Sequence, residues 1–427
     1  MTNHLQELEA AGQAVWLDFV DRKFLAEGGL KKLVANDGLT GVTSNPSIFE
    51  KAMGHGDAYD EGLSEFLGEK DASVVATYEH LAIADIQAAA ADLKPVYDRL
   101  DGKDGYVSLE VSPYLALKTD ETIAEARRLW GEVDKPNLMV KVPGTVPGVP
   151  AIRQLIADGL NINVTLLFAF DAYKQVAEAY MDGLEARVAK GEAIDRIASV
   201  ASFFVSRIDA EIDKAIDKRV EAGDDEADAL KAIRGKVAIA NAKLAYAWYQ
   251  EMIESDRWQA LAAKGAMPQR LLWASTGVKD KAYPDTLYID TLIGPDTVNT
   301  MPPKTMDAFR EHGTAKVTLT ADLDAAKHVM AEADRLGLKL GDVTTGLVDA
   351  GVKLFADAAD ALLGAVAGKR ADFLGDRLDG MTTTLPKPLE EAVEKRLESA
   401  RADGWSRKLW AGDPALWTGK DEGKWLG

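Results

Sequence analysis

Short β-rich segments recur between long helical stretches, and this alternation limits what the chain can fold into. We read strands at Ala14–Val20, Leu39–Asn45, Tyr106–Val111, Asn137–Val142, Asn161–Phe168, Ile197–Val205, Arg270–Ser275 and Thr286–Leu292. Several are nearly continuous apolar runs, the pattern of parallel strands covered on both faces. Between them lie segments such as Asp120–Trp130 and Asp171–Val188, whose 3.6-residue apolar spacing predicts amphipathic helices. After the last strand, Pro302–His312, Ala321–Leu336 and Gly341–Lys369 read as helical. Strands and helices in this order predict an α/β fold, a (β/α)8 TIM barrel with additional helices. An open doubly wound sheet needs the same alternation and is the competing architecture. Residues 47–104 and 206–268 each exceed one crossover helix, so each is expected to hold two or more. Gly54-His55-Gly56-Asp57 reads as a loop inside the first of these insertions.

The end of the chain has a different texture. Four of the nine tryptophans (Trp405, Trp410, Trp417 and Trp425) fall in a stretch rich in Gly, Asp and Lys with no clear period. Tryptophans are costly to leave in water, so this tail is expected to dock on the barrel, on another subunit or on a further domain. We therefore divide the chain into a barrel over residues 1–375 and a C-terminal extension or linker over 376–427. Neither an internal repeat nor a low-complexity tract is present.

Composition narrows the chemistry. A formal net charge of −19 argues against nucleic acid or an anionic membrane as the main partner, since both select clustered positive charge. Cysteine is absent, which removes disulfides, thiolate nucleophiles and Cys-based metal sites. The five histidines are scattered without an HxxxH pair, so no metal site is expected. The N-terminal residues lack the basic and apolar regions of a signal peptide, and no apolar run approaches the ~18 residues that span a bilayer. A cytoplasmic protein is the expectation. The run Gly364–Arg370 lacks the spacing and the Ser/Thr of a phosphate loop and reads as a frayed helix end.

Single polar residues inside the apolar strands carry the functional signal. Asp18 follows Val15-Trp16-Leu17, Glu110 lies between Leu109 and Val111, and Lys141 lies between Val140 and Val142. Asn163 and Thr165 are two apart and share one face of a strand. Ser202 and Ser275 sit near the ends of the sixth and seventh strands. In a barrel these strand ends converge on one mouth. Each residue also has a plainer reading. Lys141 could be a charge guarding an edge strand, and Asp18 a helix cap. Glu110 could be the partner of a buried cation, and Asn163 and Thr165 could satisfy backbone groups. Convergence favours chemistry. Desolvation disfavours the charged form of a buried lysine, and a neutral amine is the nucleophile for a Schiff base with a ketone. Neighbouring carboxylates can then move the protons.

Thr43-Ser44-Asn45-Pro46-Ser47, Val140-Lys141-Val142-Pro143, the 163–168 run NVTLLF and the 202–208 run SFFVSRI resemble the signatures of the transaldolase family. The 12–18 run GQAVWLD and the 274–279 run ASTGVK extend the resemblance over roughly residues 5–370. It implies a metal-free, cofactor-free class I aldolase-type barrel acting on sugar phosphates. Lys141 would form the Schiff base, and Asp18 would take the C4 hydroxyl proton as the C3–C4 bond breaks. Glu110 would work through a water held with Thr165. Asn45, Asn163 and Ser202 would bind the dihydroxyacetone moiety, Thr43 and Phe204 would line the pocket, and Arg207 would hold the phosphate. Better-known transaldolases carry Arg where this chain has Gly277. The nearest cation, Lys279, would then supply the second phosphate contact with Ser275, unless it is simply a solvated loop residue. Related fructose-6-phosphate aldolases carry Gln at the third-strand position and use a Tyr base, so Glu110 with Asp18 implies transfer rather than cleavage alone. A non-catalytic sugar-phosphate-binding barrel could have lost Lys141 or Asp18.

The Trp-rich tail resembles the connector to glucose-6-phosphate isomerase in fused bifunctional proteins, which implies a fused or docked isomerase domain as a partner. Residues 1–427 contain no second catalytic module, so the purified chain is expected not to interconvert glucose 6-phosphate and fructose 6-phosphate in a coupled isomerase assay.

Overall fold

A computed structural model describes residues 3–54, 56–68, 72–375, 384–420 and 422–425. Its strands are β1 (Gln13–Leu17), β2 (Leu39–Val42), β3 (Tyr106–Glu110), β4 (Leu138–Pro143), β5 (Ile162–Leu167), β6 (Ser199–Phe204), β7 (Arg270–Ala274) and β8 (Thr297–Met301). All neighbours pair in parallel, and β1 closes on β8. The architecture is a (β/α)8 barrel, with no open sheet. The two long insertions each carry several helices, among them Pro46–Gly54 and Val74–Arg99 in the first and Ser206–Glu221 and Val237–Ile253 in the second.

Seven of the expected strands form near their expected positions, and the eighth does not. Thr286–Leu292 contains the short helix Leu287–Asp290 instead. Its turn is tied by Thr286 Oγ1 donating to Asp290 Oδ2 at 2.6 Å and Thr291 Oγ1 to the Leu287 carbonyl at 2.6 Å. The closing strand is TVNTM, whose three Thr and Asn residues conceal it from a search for apolar runs although all five positions are buried. Thr297 is accommodated because its hydroxyl donates to the Gly294 carbonyl at 2.6 Å and accepts from Gln13 Nε2 at 2.9 Å. Gly364–Arg370 is likewise not a frayed end: the helix Leu340–Leu374 runs through it.

Compactness divides the chain into two units. The first comprises the residues up to Val20, Phe24–Ser44 and Ile86–Val352, and contains all eight strands; the second comprises Asp21–Lys23, Asn45–Asp85 and Lys353–Gly427. In the second, Arg22 donates to Asp85 Oδ1 at 2.8 Å and the Tyr59 hydroxyl to Asp85 Oδ2 at 2.7 Å. Asn45 caps the Pro46–Gly54 helix, its Oδ1 accepting from the Ile48 N–H at 3.1 Å. The expected Gly54–Asp57 loop begins at the end of that helix, with His55 outside the described residues. The tail is more regular than its composition suggests, with helices Lys387–Ala402 and Trp405–Trp410. Its tryptophans are not all buried by this chain. Arg396 lies over the Trp405 ring at 3.9 Å, but Trp410 is 89% exposed. The side chain of Trp425 lies outside the described residues. Among the described residues no helix is long and apolar enough to cross a membrane.

One end of the barrel is closed by a buried charge cluster. Asp104, just before β3, accepts from Trp16 Nε1 at 2.9 Å, Thr40 Oγ1 at 3.0 Å and Arg270 Nη1 at 3.1 Å. β7 and β3 are not neighbours, so the Arg270–Asp104 pair spans the interior. Removing one partner of such a pair strands the other charge. Asp104→Ala is accordingly expected to cost about 3–5 kcal/mol in denaturant unfolding.

Candidate active site

The opposite end collects the polar residues that interrupt the apolar strands. Register sets the first three: Lys141 on β4 lies opposite Glu110 on β3 and Asn163 on β5, so all three share one face. That face is the interior, because Asn163 Nδ2 reaches past β4 to donate to Ser108 Oγ on β3 at 3.0 Å. Side chains converge in this way only on the concave side of a closed sheet. Ser202 on β6 extends the girdle, donating to Asn163 Oδ1 at 2.7 Å.

Lys141 is 5% exposed. Its Nζ lies 3.2 Å from Glu110 Oε2 and donates to the Ser44 carbonyl at 3.1 Å. Closure leaves the barrel without an edge, which rules out the edge-guard reading of this lysine. Burial pushes the Glu110 carboxyl above its ordinary range, with the Lys141 charge opposing the shift. Asp18 directly follows β1, its N–H donating to the Met301 carbonyl at 2.8 Å. Its carboxylate does not serve as a helix cap: Oδ1 accepts from Thr43 Oγ1 at 2.8 Å, and Thr43 contacts Thr300 Oγ1 at 2.7 Å. Burial raises the Asp18 pKa as well, against the pull of Lys141, the Thr43 bond and Arg207. The site thus holds two carboxyls with an increased affinity for protons and one lysine, linked through their mutual fields.

Thr165, which pairs in register with Pro143, has a buried hydroxyl without a hydrogen-bond partner. Just beyond it the chain slips register between Val164 and Leu167, and Leu166 adopts a left-handed φ of 60°, a costly conformation for such a residue. A Cβ on Gly351 would stand 2.7 Å from Leu166 Cδ2, so glycine at 351 leaves this bulge its room. Past the end of β6, Arg207 is half-buried with its guanidinium 5.4 Å from the Phe204 ring centre, and Phe204 packs on Phe168 at 5.1 Å. Ser275, also left-handed at φ 55°, contacts Ser206 Oγ at 3.0 Å. Lys279 is exposed and lines a cleft of about 530 Å³ with residues of the Ser206–Glu221 helix.

Four residues of this constellation have no assigned part in the sequence reading. Ser108 could have been found as the residue two before Glu110, on the same face. Ser44 and Ser206 lie inside motifs already singled out, but Ser44 contributes a backbone carbonyl, which no side-chain pattern announces. Thr300 belongs to β8, whose polar residues conceal it from a search for apolar runs.

The sequence profile described as transaldolase/fructose-6-phosphate aldolase matches residues 15–366. The chain belongs to this family. It is 48% identical over 372 residues to a transaldolase of Thermobifida fusca, covering 87% of this chain and 99% of that one. It is 48% identical over 332 residues to a transaldolase of Trichodesmium erythraeum, covering 77% and 87% respectively. A protein of Nostoc punctiforme named transaldolase 2 is 46% identical over 373 residues, covering 86% and 98%. The family match spans β2 to β8, the last three residues of β1 and every residue of the girdle.

The raised carboxyl of Asp18 has a consequence for stability. A group that binds its proton more tightly folded than unfolded lowers stability as pH rises from its ordinary value through its folded one. Asp18→Asn removes that penalty. Its melting temperature is therefore expected to exceed that of the parent by a margin that widens as pH rises above the ordinary carboxyl value of 3.8, measured by thermal melts.

Proposed function

We propose that this chain is a transaldolase that moves a dihydroxyacetone unit from sedoheptulose 7-phosphate or fructose 6-phosphate to glyceraldehyde 3-phosphate or erythrose 4-phosphate. This is a reaction of the non-oxidative pentose phosphate pathway. The observation that carries the reading is the buried Lys141 ammonium facing Glu110, with Asp18 as a second proton-holding carboxyl in the same field.

Lys141 attacks the ketose carbonyl as the free amine, and loss of water from the carbinolamine gives an iminium. Glu110 takes the proton that Lys141 gives up and returns one to the departing oxygen. The orphaned Thr165 hydroxyl supports a water shared with Glu110, since a buried hydroxyl calls for such a partner. Asp18 then accepts the C4 hydroxyl proton. The C3–C4 bond breaks, its electrons enter the iminium, and the aldose phosphate departs. The enamine that remains attacks the aldehyde of the acceptor, and hydrolysis releases the product and restores Lys141. Asn163 and Ser202 exchange their mutual hydrogen bond for the hydroxyls of the three-carbon unit. Thr43 and Phe204 line the pocket, and Arg207 receives the phosphate, aided by Ser275 and Lys279.

Sugar phosphates are charged and retained inside the cell, which fits a cytoplasmic setting. We read residues 376–427 as an addition to the catalytic chain, because the alignment with the Thermobifida fusca relative takes in 99% of that protein and only 87% of this one. A fused or docked isomerase domain is the partner that the tail suggests.

With fructose 6-phosphate and erythrose 4-phosphate together, sedoheptulose 7-phosphate is expected to accumulate. With fructose 6-phosphate alone, little free dihydroxyacetone should appear. Release of dihydroxyacetone at the same rate without an acceptor would assign the chain to the lyases, and no turnover at all would leave a binding barrel. Lys141→Ala should fold normally and lose activity by on the order of 10³-fold or more.

A further inference from the structure

The segment that follows β7 carries Ser275 and Lys279, and it is fastened at both ends to a single helix. At its start, Ser206 of the Ser206–Glu221 helix donates its N–H to the Ser275 carbonyl at 3.1 Å, next to Arg207. At its far end, Asp280 and Tyr283 are fastened through Arg234, which lies outside the strands and outside the motifs described above. Arg234 makes a two-pronged contact with Asp217 of that helix, at 2.8 and 2.9 Å, and donates to Asp280 Oδ2 at 2.7 Å. Its Nη1 donates to the Tyr283 hydroxyl at 2.5 Å, and that hydroxyl donates to Asp213 Oδ2 at 2.7 Å. The adjoining Gly235 has a φ of +70° and gives its N–H to Asp213 Oδ1 at 2.9 Å. A Cβ at Gly235 would stand 2.6 Å from the Tyr283 ring, so the ring needs glycine there.

We propose that Arg234 is a positioning residue for phosphate recognition: by tying Asp280 and Tyr283 to the Ser206–Glu221 helix, it fixes where Ser275 and Lys279 stand relative to Arg207. The inference rests on the reading of Arg207, Ser275 and Lys279 as the phosphate end of the site. Arg234 itself has its donors committed to Asp217, Asp280 and Tyr283 and does not touch the substrate. Asp213 and Asp217 project from the helix and Asp280 from the loop. Without the guanidinium between them, these carboxylates repel and the loop moves off the helix. A lysine can restore the charge but not the planar fork that holds both sides.

The test separates phosphate binding from chemistry. For Arg234→Met the KM for erythrose 4-phosphate is expected to rise about 10-fold or more with kcat little changed, the pattern of lost uniform binding. Inhibition by inorganic phosphate should weaken in parallel, whereas at saturating fructose 6-phosphate the transfer to unphosphorylated glyceraldehyde should be unaffected. Arg234→Lys should fall between Arg234→Met and the parent. Asp280→Asn, which takes the charge from one half-buried arm of the clamp, should shift KM in the same direction by less, so the idea stays testable if Arg234→Met does not fold. Unchanged KM and phosphate inhibition in Arg234→Met or Asp280→Asn, or an equal loss on glyceraldehyde, would overturn it. Arg207→Ala isolates the premise. If it leaves the KM for erythrose 4-phosphate unchanged, the phosphate end has been misassigned; if it raises that KM while Arg234→Met does not, only the role of Arg234 fails.

Discussion

Burying one ammonium inside a closed barrel is the constraint to which the rest of the site answers. Lys141 gives up most of its hydration, and the protein returns three things: the Glu110 carboxylate at 3.2 Å, the Ser44 carbonyl at 3.1 Å and the more distant field of Asp18. These compensations are incomplete by design. Burial still raises the proton affinity of both carboxyls, against the pull of the Lys141 charge. Ionisable groups buried together in this way are poor for stability and are the kind of cluster in which chemistry is found.

The barrel carries buried charge at both ends and treats the two differently. Around Asp104 every oxygen is occupied, by Trp16, Thr40, Arg270 and the Gly105 N–H. That end is a rigid plug, and its job is to set strand positions. At the other end the Thr165 hydroxyl stays unpartnered, and Ser202 and Asn163 are satisfied through each other. Two left-handed residues, Leu166 and Ser275, lie beside this end. Strain collects where side chains must be aimed, and satisfied hydrogen bonds collect where they need only hold.

Much of this is legible in the amino-acid sequence. Seven strands announce themselves as apolar runs, and a lysine between two valines stands out because nothing in a core explains it. The eighth strand is hidden because Thr297, Asn299 and Thr300 are polar residues that the closed barrel shelters, whereas the more apolar Thr286–Leu292 contains a helical turn stitched by its own threonines. Thr300 disappeared from view with that strand. The Ser44 carbonyl leaves no trace in a pattern of side chains. Arg234 was unreadable for another reason. Its partners are 17, 46 and 49 residues away, and only the path of the loop after β7 brings them together.

The central claim is that the buried amine of Lys141 is the nucleophile, and borohydride reduction in the presence of fructose 6-phosphate tests it most directly. The imine, once reduced, becomes a permanent adduct that peptide mass analysis can locate. The account predicts one dihydroxyacetone-derived adduct per chain, on the peptide containing Lys141, and none when the ketose is omitted. An adduct on a different lysine, or none on folded protein that turns over the same substrate, would contradict it.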